Sequence, residues 1–189
     1  MADSKITKTV LADAMKALMQ EKPFEKISVT DICEKCGMNR KSFYYHFQDK
    51  YDLLNWIFYV GFAESIDMDS FEVSTEEELM EQFWKQIELI TDYLYEERDF
   101  YSKALRVEGQ NSFKDYFRDN AVPVLYFFLS DILEAGQYGD MFVLAICDAF
   151  IDILVRWLTD ANPIGPKELR ESFRDMIIKI AGKITESVQ

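Results

Sequence analysis

The chain has 189 residues, 49% of them hydrophobic and 15% aromatic, which suits a folded globule with a sizeable core and not a disordered tail. Seven glycines and four prolines leave few turns, so long elements and an all-α chain are expected. A formal charge of -13 makes the chain as a whole a poor ligand for phosphates, whose affinity comes from lysine and arginine. The distribution changes that reading. Residues 1–60 hold 9 lysines and arginines against 8 acids, a balance of +1, and the remainder 12 against 26, a balance of -14. No run approaches 18 apolar residues, so no membrane span is expected. The opening MADSKITKTV has no apolar run of the signal-peptide kind. Three cysteines, an odd number outside any small disulfide frame, fit a reducing cytoplasm.

The first helix is predicted from about Ser4 to Glu21. Ile6, Val10, Leu11, Ala14 and Leu18 recur at three- and four-residue steps and form one apolar stripe. Lys22 before Pro23 ends it, because a residue preceding proline avoids helical angles. Phe24 and Ile27 in the linker are expected to tuck inward. Ser28 is the predicted N-cap of a second helix, with Asp31 near its positive end and Ile32 and Cys33 facing the core. Gly37 sits where the chain must turn sharply, Met38 fills the corner and Asn39 can cap a third helix running to about Phe47. Phe43 and Phe47 point back to the core. A fourth helix starts at Gln48, Asp49 and Lys50, with Leu53, Leu54, Ile57 and Phe58 as its apolar face.

A composition shift near 64–78 marks the boundary between a domain at 1–60 and one at 61–189. Ser74 or Thr75 before three glutamates reads as a helix start. Helices follow at about 75–97, 99–109, 111–135, 138–161 and 166–187. Pro123 should kink or divide the third of these, and the run from Asn162 to Pro166 separates the last two.

Residues 28–50 therefore read as helix, tight turn, helix. In a helix-turn-helix the second helix enters the DNA major groove while the first braces it across the backbone. Arg40 and Lys41 lie in the first turn of that second helix and can read guanine; Asn39 can read adenine. Ser42 can meet a phosphate or a base. Tyr44 and Tyr45 offer hydroxyls to phosphate and ring edges to thymine methyls. Helix starts near Thr30 and Lys50 present backbone N–H groups to phosphate, and Lys50 adds a charge. Singly, a basic residue is more often a solvated charge, a tyrosine more often packing, and the lone His46 more often a packed or surface group than a ligand. Their joint placement around Gly37 carries the reading.

Ile32, Gly37, Phe43, Tyr44, Tyr45, His46, Phe47, Lys50, Leu53 and Leu54 form the pattern I-x4-G-x5-FYYHF-x2-K-x2-LL, which resembles the TetR/AcrR family of one-component bacterial regulators. The resemblance covers residues 5–60 closely and the rest only in all-helical plan. It implies a homodimer with an N-terminal three-helix helix-turn-helix domain and a C-terminal helical ligand and dimerisation domain. It places Thr30, Arg40, Lys41, Tyr44, Tyr45, His46 and Lys50 at DNA-contacting positions, His46 on phosphate. The recognition helix also resembles that of a subgroup of dihydroxyacetone kinase operon regulators, which implies activation of transcription and sensing of a partner protein. Lys41 departs from the small residue of many relatives, so no operator carries over.

The implied partners are a palindromic duplex operator, a second copy of the chain through residues 138–187, and a small-molecule or protein effector. Leu169, Phe173, Ile177, Ile180 and Ile184 make the stripe for that dimer, with Ala181 and Gly182 allowing close approach; packing inside one subunit is the alternative. Asp152 and Arg156, four apart, are expected to pair. The aromatic residues between Phe83 and Phe128 can line an inducer pocket, although a core is the commoner use. Cys33 and Cys36 lie within a helix and lack the second pair that zinc needs, so no metal is expected. No cofactor and no enzymatic chemistry is expected either, since none of GxGxxG, P-loop, GxSxG or HExxH occurs. A helical adaptor without DNA binding is the rival function.

Overall fold

The computed structural model describes residues 2–65, 75–107, 113–132 and 139–187. Among the described residues the chain is helical throughout, without a strand: α1 (Ala2–Glu21), a 3-10 turn (Phe24–Lys26), α2 (Val29–Lys35), α3 (Arg40–His46), α4 (Lys50–Ser65), α5 (Glu76–Glu96), α6 (Arg98–Ala104), α7 (Phe113–Ile132), α8 (Gly139–Thr159) and α9 (Pro166–Ser187). The all-α expectation holds.

α1 buries Leu11, Ala14, Met15, Leu18 and Met19 along one side. Ile6, placed in the predicted stripe, is 61% exposed. Phe24 and Ile27 are buried under the small unit as their apolarity requires. α3 packs chiefly on α1 and α2. α4 runs past residue 60 and packs on α1, α5 and α7. Its Phe58 is the hub of an aromatic cluster, with ring centroids 5.1 Å from Phe62, 5.6 Å from Phe113, 5.2 Å from Phe117 and 6.0 Å from Tyr101. Edge-on and offset packing of this kind is the favoured arrangement of aromatic quadrupoles.

Three details of the second half differ from expectation. α6 ends at Ala104 and not near 109, since Arg106 N–H and Val107 N–H bond three residues back and tighten the last turn. Arg106 then reaches the carbonyl of Thr159 at the end of α8 (2.8 Å). Pro123 does not divide α7, which continues to Ile132; the missing N–H costs one helical bond, not the helix. Asp152 accepts from Lys114 on α7 (3.2 Å) and not from Arg156, while Asp148 takes both arms of Arg118 (2.8 and 3.0 Å). These bridges lie across the α7–α8 seam. The side chains of Ile177, Ile180, Ala181, Gly182 and Ile184 fall outside the described residues; Leu169 and Phe173 pack on the core.

α9 is fastened to α5 by Arg170, only 15% exposed at its side chain, which donates to Thr91 Oγ1 (2.7 Å), Asp92 (2.7 Å) and Glu88 (3.3 Å). Arg174 lies over the Trp84 ring at 4.4 Å. Most of the mid-chain aromatics, among them Phe83, Phe100, Tyr101, Phe113 and Phe117, are core. The interior between α4, α5, α7 and α8 retains a cavity of about 20 Å³ walled by Phe62, Phe83, Phe117, Phe150 and Leu154. No helix among the described residues is long and apolar enough to cross a membrane.

α4 and α5 touch closely at Gly61. A Cβ there would stand 1.7 Å from the Tyr93 hydroxyl, which is itself 2.7 Å from the hydroxyl of buried Tyr101. Gly61→Ala should push the Tyr93 ring aside and break that bond. A loss of about 1–3 kcal/mol in urea unfolding is expected, as for other overpacked cores, with a changed near-ultraviolet aromatic signal.

Candidate nucleic-acid interface

Three local devices shape the surface. Ser28 and Asp31 form a reciprocal capping box: Asp31 N–H donates to Ser28 Oγ (3.1 Å) and Ser28 N–H to the Asp31 carboxylate (2.7 Å). Lys22 stands 3.1 Å from the same carboxylate. The backbone and hydroxyl donors of Ser28, then Lys22, hold the Asp31 carboxyl down at about 2. At the other end of α2, Gly37 adopts φ 69°. Met38 N–H reaches back to Cys33 O (2.9 Å) and Gly37 N–H to Glu34 O (3.3 Å), the paired bonds of a Schellman corner. Asn39 then caps α3, its Oδ1 accepting from Ser42 N–H (2.9 Å) and Ser42 Oγ (3.3 Å).

The result is a short helix with two faces. Phe43 and Phe47 are buried on the inner side. Arg40, Lys41, Tyr44 (49% exposed) and Tyr45 (83% exposed) stand on the outer side. Arg40 donates to the Tyr44 hydroxyl (3.3 Å), and its guanidinium lies 5.7 Å from that ring's centre. The two side chains thus lie together on the outer face. Half-buried His46 sits edge-on to Tyr45 at 4.9 Å, in the last turn of α3.

The nine expected contact residues thus divide. Arg40, Lys41, Tyr44 and Tyr45 share the exposed face of α3, and exposed Thr30 lies in the first turn of α2, where the N–H groups have no partner inside the helix. Asn39 and Ser42 are engaged with each other as the cap. Lys50 turns its ammonium inward, to the carbonyls of Phe24 (2.8 Å), Glu25 (3.2 Å) and Ile27 (2.8 Å). Asp49 is a cap that the residue-by-residue reading passed over: its carboxylate accepts from Tyr51 N–H (2.8 Å) and Asp52 N–H (2.9 Å). Asp49 and Asp52 at N-cap and N3 spacing were the available signal. Cys33 is buried, its thiol pushed up first by burial and then by Cys36, which is the mark of an inert thiol. Cys36 Sγ bonds the carbonyls of Ile32 and Cys33 within its own helix.

A glycine corner between two short helices, the second bearing an exposed cationic and aromatic face, is a helix-turn-helix, and it defines a DNA-binding regulator. Residues 11–57 match the family described as "Bacterial regulatory proteins, tetR family", and residues 81–179 match "Transcriptional regulator C-terminal region". The chain belongs to the TetR family of bacterial transcriptional regulators.

One curated relative, from Lactococcus lactis subsp. lactis (strain IL1403), is named "HTH-type dhaKLM operon transcriptional activator DhaS" and is 35% identical over 117 residues. That match spans 62% of this chain and 57% of the relative's length. Among solved structures, "Dihydroxyacetone kinase operon activator DhaS" superposes with a TM-score of 0.63 at 22% identity, over 95% of this chain and 97% of the other. NalD, the secondary repressor of the MexAB-OprM multidrug efflux pump in Pseudomonas aeruginosa, superposes at 0.61 with 16% identity, over the same 95% and 97%. At these identities the structures establish a shared fold.

The Asp31 carboxyl should titrate at about 2, below its ordinary 3.8. A carboxyl with a lowered folded value stabilises above the ordinary value and loses that contribution as pH falls through the folded one. The α2 cap should therefore hold at pH 4 and above and fail on acidification towards about pH 2. Carbon-detected NMR titration of the Asp31 side chain checks this, and Ser28→Ala should move the midpoint back up.

Proposed function

We propose that the protein is a homodimer that reads a palindromic duplex with α3, and that a small molecule or a protein partner adjusts its operator affinity. The carrying observation is the two-faced α3: Arg40, Lys41, Tyr44 and Tyr45 stand outward together while Phe43 and Phe47 anchor the helix. In this reading Arg40 and Lys41 select bases, the two tyrosines contact thymine methyls and phosphates, and Thr30 and His46 meet the backbone. Asn39 and Ser42 contribute by fixing the first turn of α3.

The dimer reading draws support from α8. Phe142 is 62% exposed, and Met141, Leu144 and Ile146 are also open. Phe142, Ala145, Ile146 and Ala149 follow at helical steps and make one uncovered apolar stripe. Met176 on α9 is exposed as well. The mating surface in this proposal lies within residues 138–187. Two α3 helices would then sit roughly 34 Å apart, one turn of the duplex. The effector site in this reading is the space between α4, α5, α7 and α8, where the wall is aromatic and the cavity of about 20 Å³ must widen to admit a ligand. The genes it serves are those of a dihydroxyacetone kinase system, by kinship with the Lactococcus activator.

Fluorescence anisotropy on duplexes from the chain's own genomic neighbourhood tests the reading. A specific complex should weaken steeply from about 50 to about 200 mM salt. Arg40→Ala should cost about 1–3 kcal/mol and relax base choice at one position of each half-site. If no duplex outcompetes bulk DNA at low salt, with or without candidate effectors, the reading fails and a helical adaptor takes its place. For the dimer, Phe142→Glu should convert the sedimenting species from dimer to monomer; a wild-type monomer at micromolar concentration would count against the interface.

A further inference from the structure

We propose that Lys50 serves the DNA-reading surface as a positioning residue: its ammonium ties the 24–27 linker to the head of α4 and so fixes where α2 begins. It does not act as a phosphate contact, the role that its place in the family pattern implies. This inference rests on the DNA-binding function proposed for α3.

An ammonium has three donor protons and no acceptor. In Lys50 three carbonyls take them: Phe24 at 2.8 Å, Ile27 at 2.8 Å and Glu25 at 3.2 Å. The Phe24 ring closes over the charge at 4.4 Å and the Tyr51 ring at 5.6 Å, and those two rings meet edge-on at 5.1 Å. The carbonyls belong to the end of a 3-10 turn, the electronegative end of a helical segment, which a cation complements. Burial lowers the pKa of the amine, with Glu25, Asp31 and Asp49 opposing that effect, as befits a group partly withdrawn from water. A phosphate could recruit it only by displacing one of the carbonyls.

The consequence passes along the chain. Ile27, whose carbonyl Lys50 holds, is followed directly by Ser28, the cap that starts α2. α2 carries Thr30 in its first turn and leads through Gly37 into α3. Lys50 thus sets the start of the bracing helix from 23 to 26 residues away in sequence. A lysine suits this task because its flexible stem can deliver a compact point charge to three convergent oxygens, which a planar guanidinium cannot match.

Two measurements test the proposal. The first uses the wild-type protein with a lysine-acylating reagent and peptide mass spectrometry, free and with operator DNA. Lys50 should label at least about ten-fold more slowly than Lys41 in the free protein, as a locally closed group does, and DNA should leave its rate unchanged while protecting Lys41. Labelling of Lys50 as fast as Lys41, with protection on adding DNA, overturns the proposal. Failure of Lys41 to be protected at saturating DNA counts against the DNA-reading surface instead, and leaves the free-protein comparison to decide the clamp.

The second measurement is Lys50→Met. The hydrogen-bonded amides of Ser28 and Asp31 should exchange about ten-fold faster while those of Phe43 to Phe47 keep their protection. Operator affinity should fall about ten-fold with the salt slope of the wild type, whereas loss of a phosphate contact would lower that slope by about 1. A lowered slope with unchanged exchange at Ser28 and Asp31 overturns the proposal. Should Lys50→Met not fold, the labelling comparison on the wild type decides.

Discussion

Burial of Phe43 and Phe47 is the interaction on which the reading surface depends. α3 has seven residues, and a helix that short does not persist in water alone. Phe43 is wholly enclosed and Phe47 nearly so, with Trp56 of α4 at 5.7 Å and the Lys8 ammonium of α1 at 5.4 Å from the Phe47 ring. Burying each phenylalanine is worth about 1.5–3 kcal/mol, against about 1 kcal/mol for the Asn39 cap. The two rings therefore decide whether α3 exists, and the cap and the Gly37 corner decide where it starts. Because helical residues four apart share a side, enclosing these two rings leaves Arg40, Lys41, Tyr44 and Tyr45 facing out.

α4 joins this surface to the rest of the molecule. Its first turns supply Leu53, Leu54 and Trp56 to the small unit, and its later turns carry Phe58 and Phe62 into the aromatic centre of the body. Both ends of the helix are fixed by contacts with little slack. Lys50 is held by three carbonyls, and Gly61 lies against Tyr93 with no room for a methyl. Close-packed seams of this kind transmit a displacement and do not absorb it.

The sequence made local features legible and left distant ones hidden. Ser28, Gly37 and Asn39 announce their roles because a cap or a left-handed corner is settled by a few neighbouring residues. Phe43 and Phe47 are legible from spacing alone. The fate of Lys50 is not, since its partners are main-chain oxygens of a linker brought close only by the fold. Asp152 was paired in expectation with Arg156 four residues on, yet Lys114, 38 residues away, reaches it first. Ile6 fits the periodicity of α1 yet stands exposed. Asp49 was within reach: its spacing to Asp52 is that of a cap, overlooked beside the more conspicuous lysine.

The molecule is electrically lopsided along its length. α3 lies in a segment, residues 1–60, whose charges nearly cancel, and residues 61–189 carry the surplus of 14 negative charges. Near a polyanion such a particle feels a torque as well as a force. The acidic part is pushed away and the near-neutral part swings round, so tumbling is biased before any side chain makes contact. The bias extends only about 10 Å at 0.1 M salt. It therefore cannot pull the protein in from afar; it acts as a weathervane, sorting orientations during the last few water layers of an encounter.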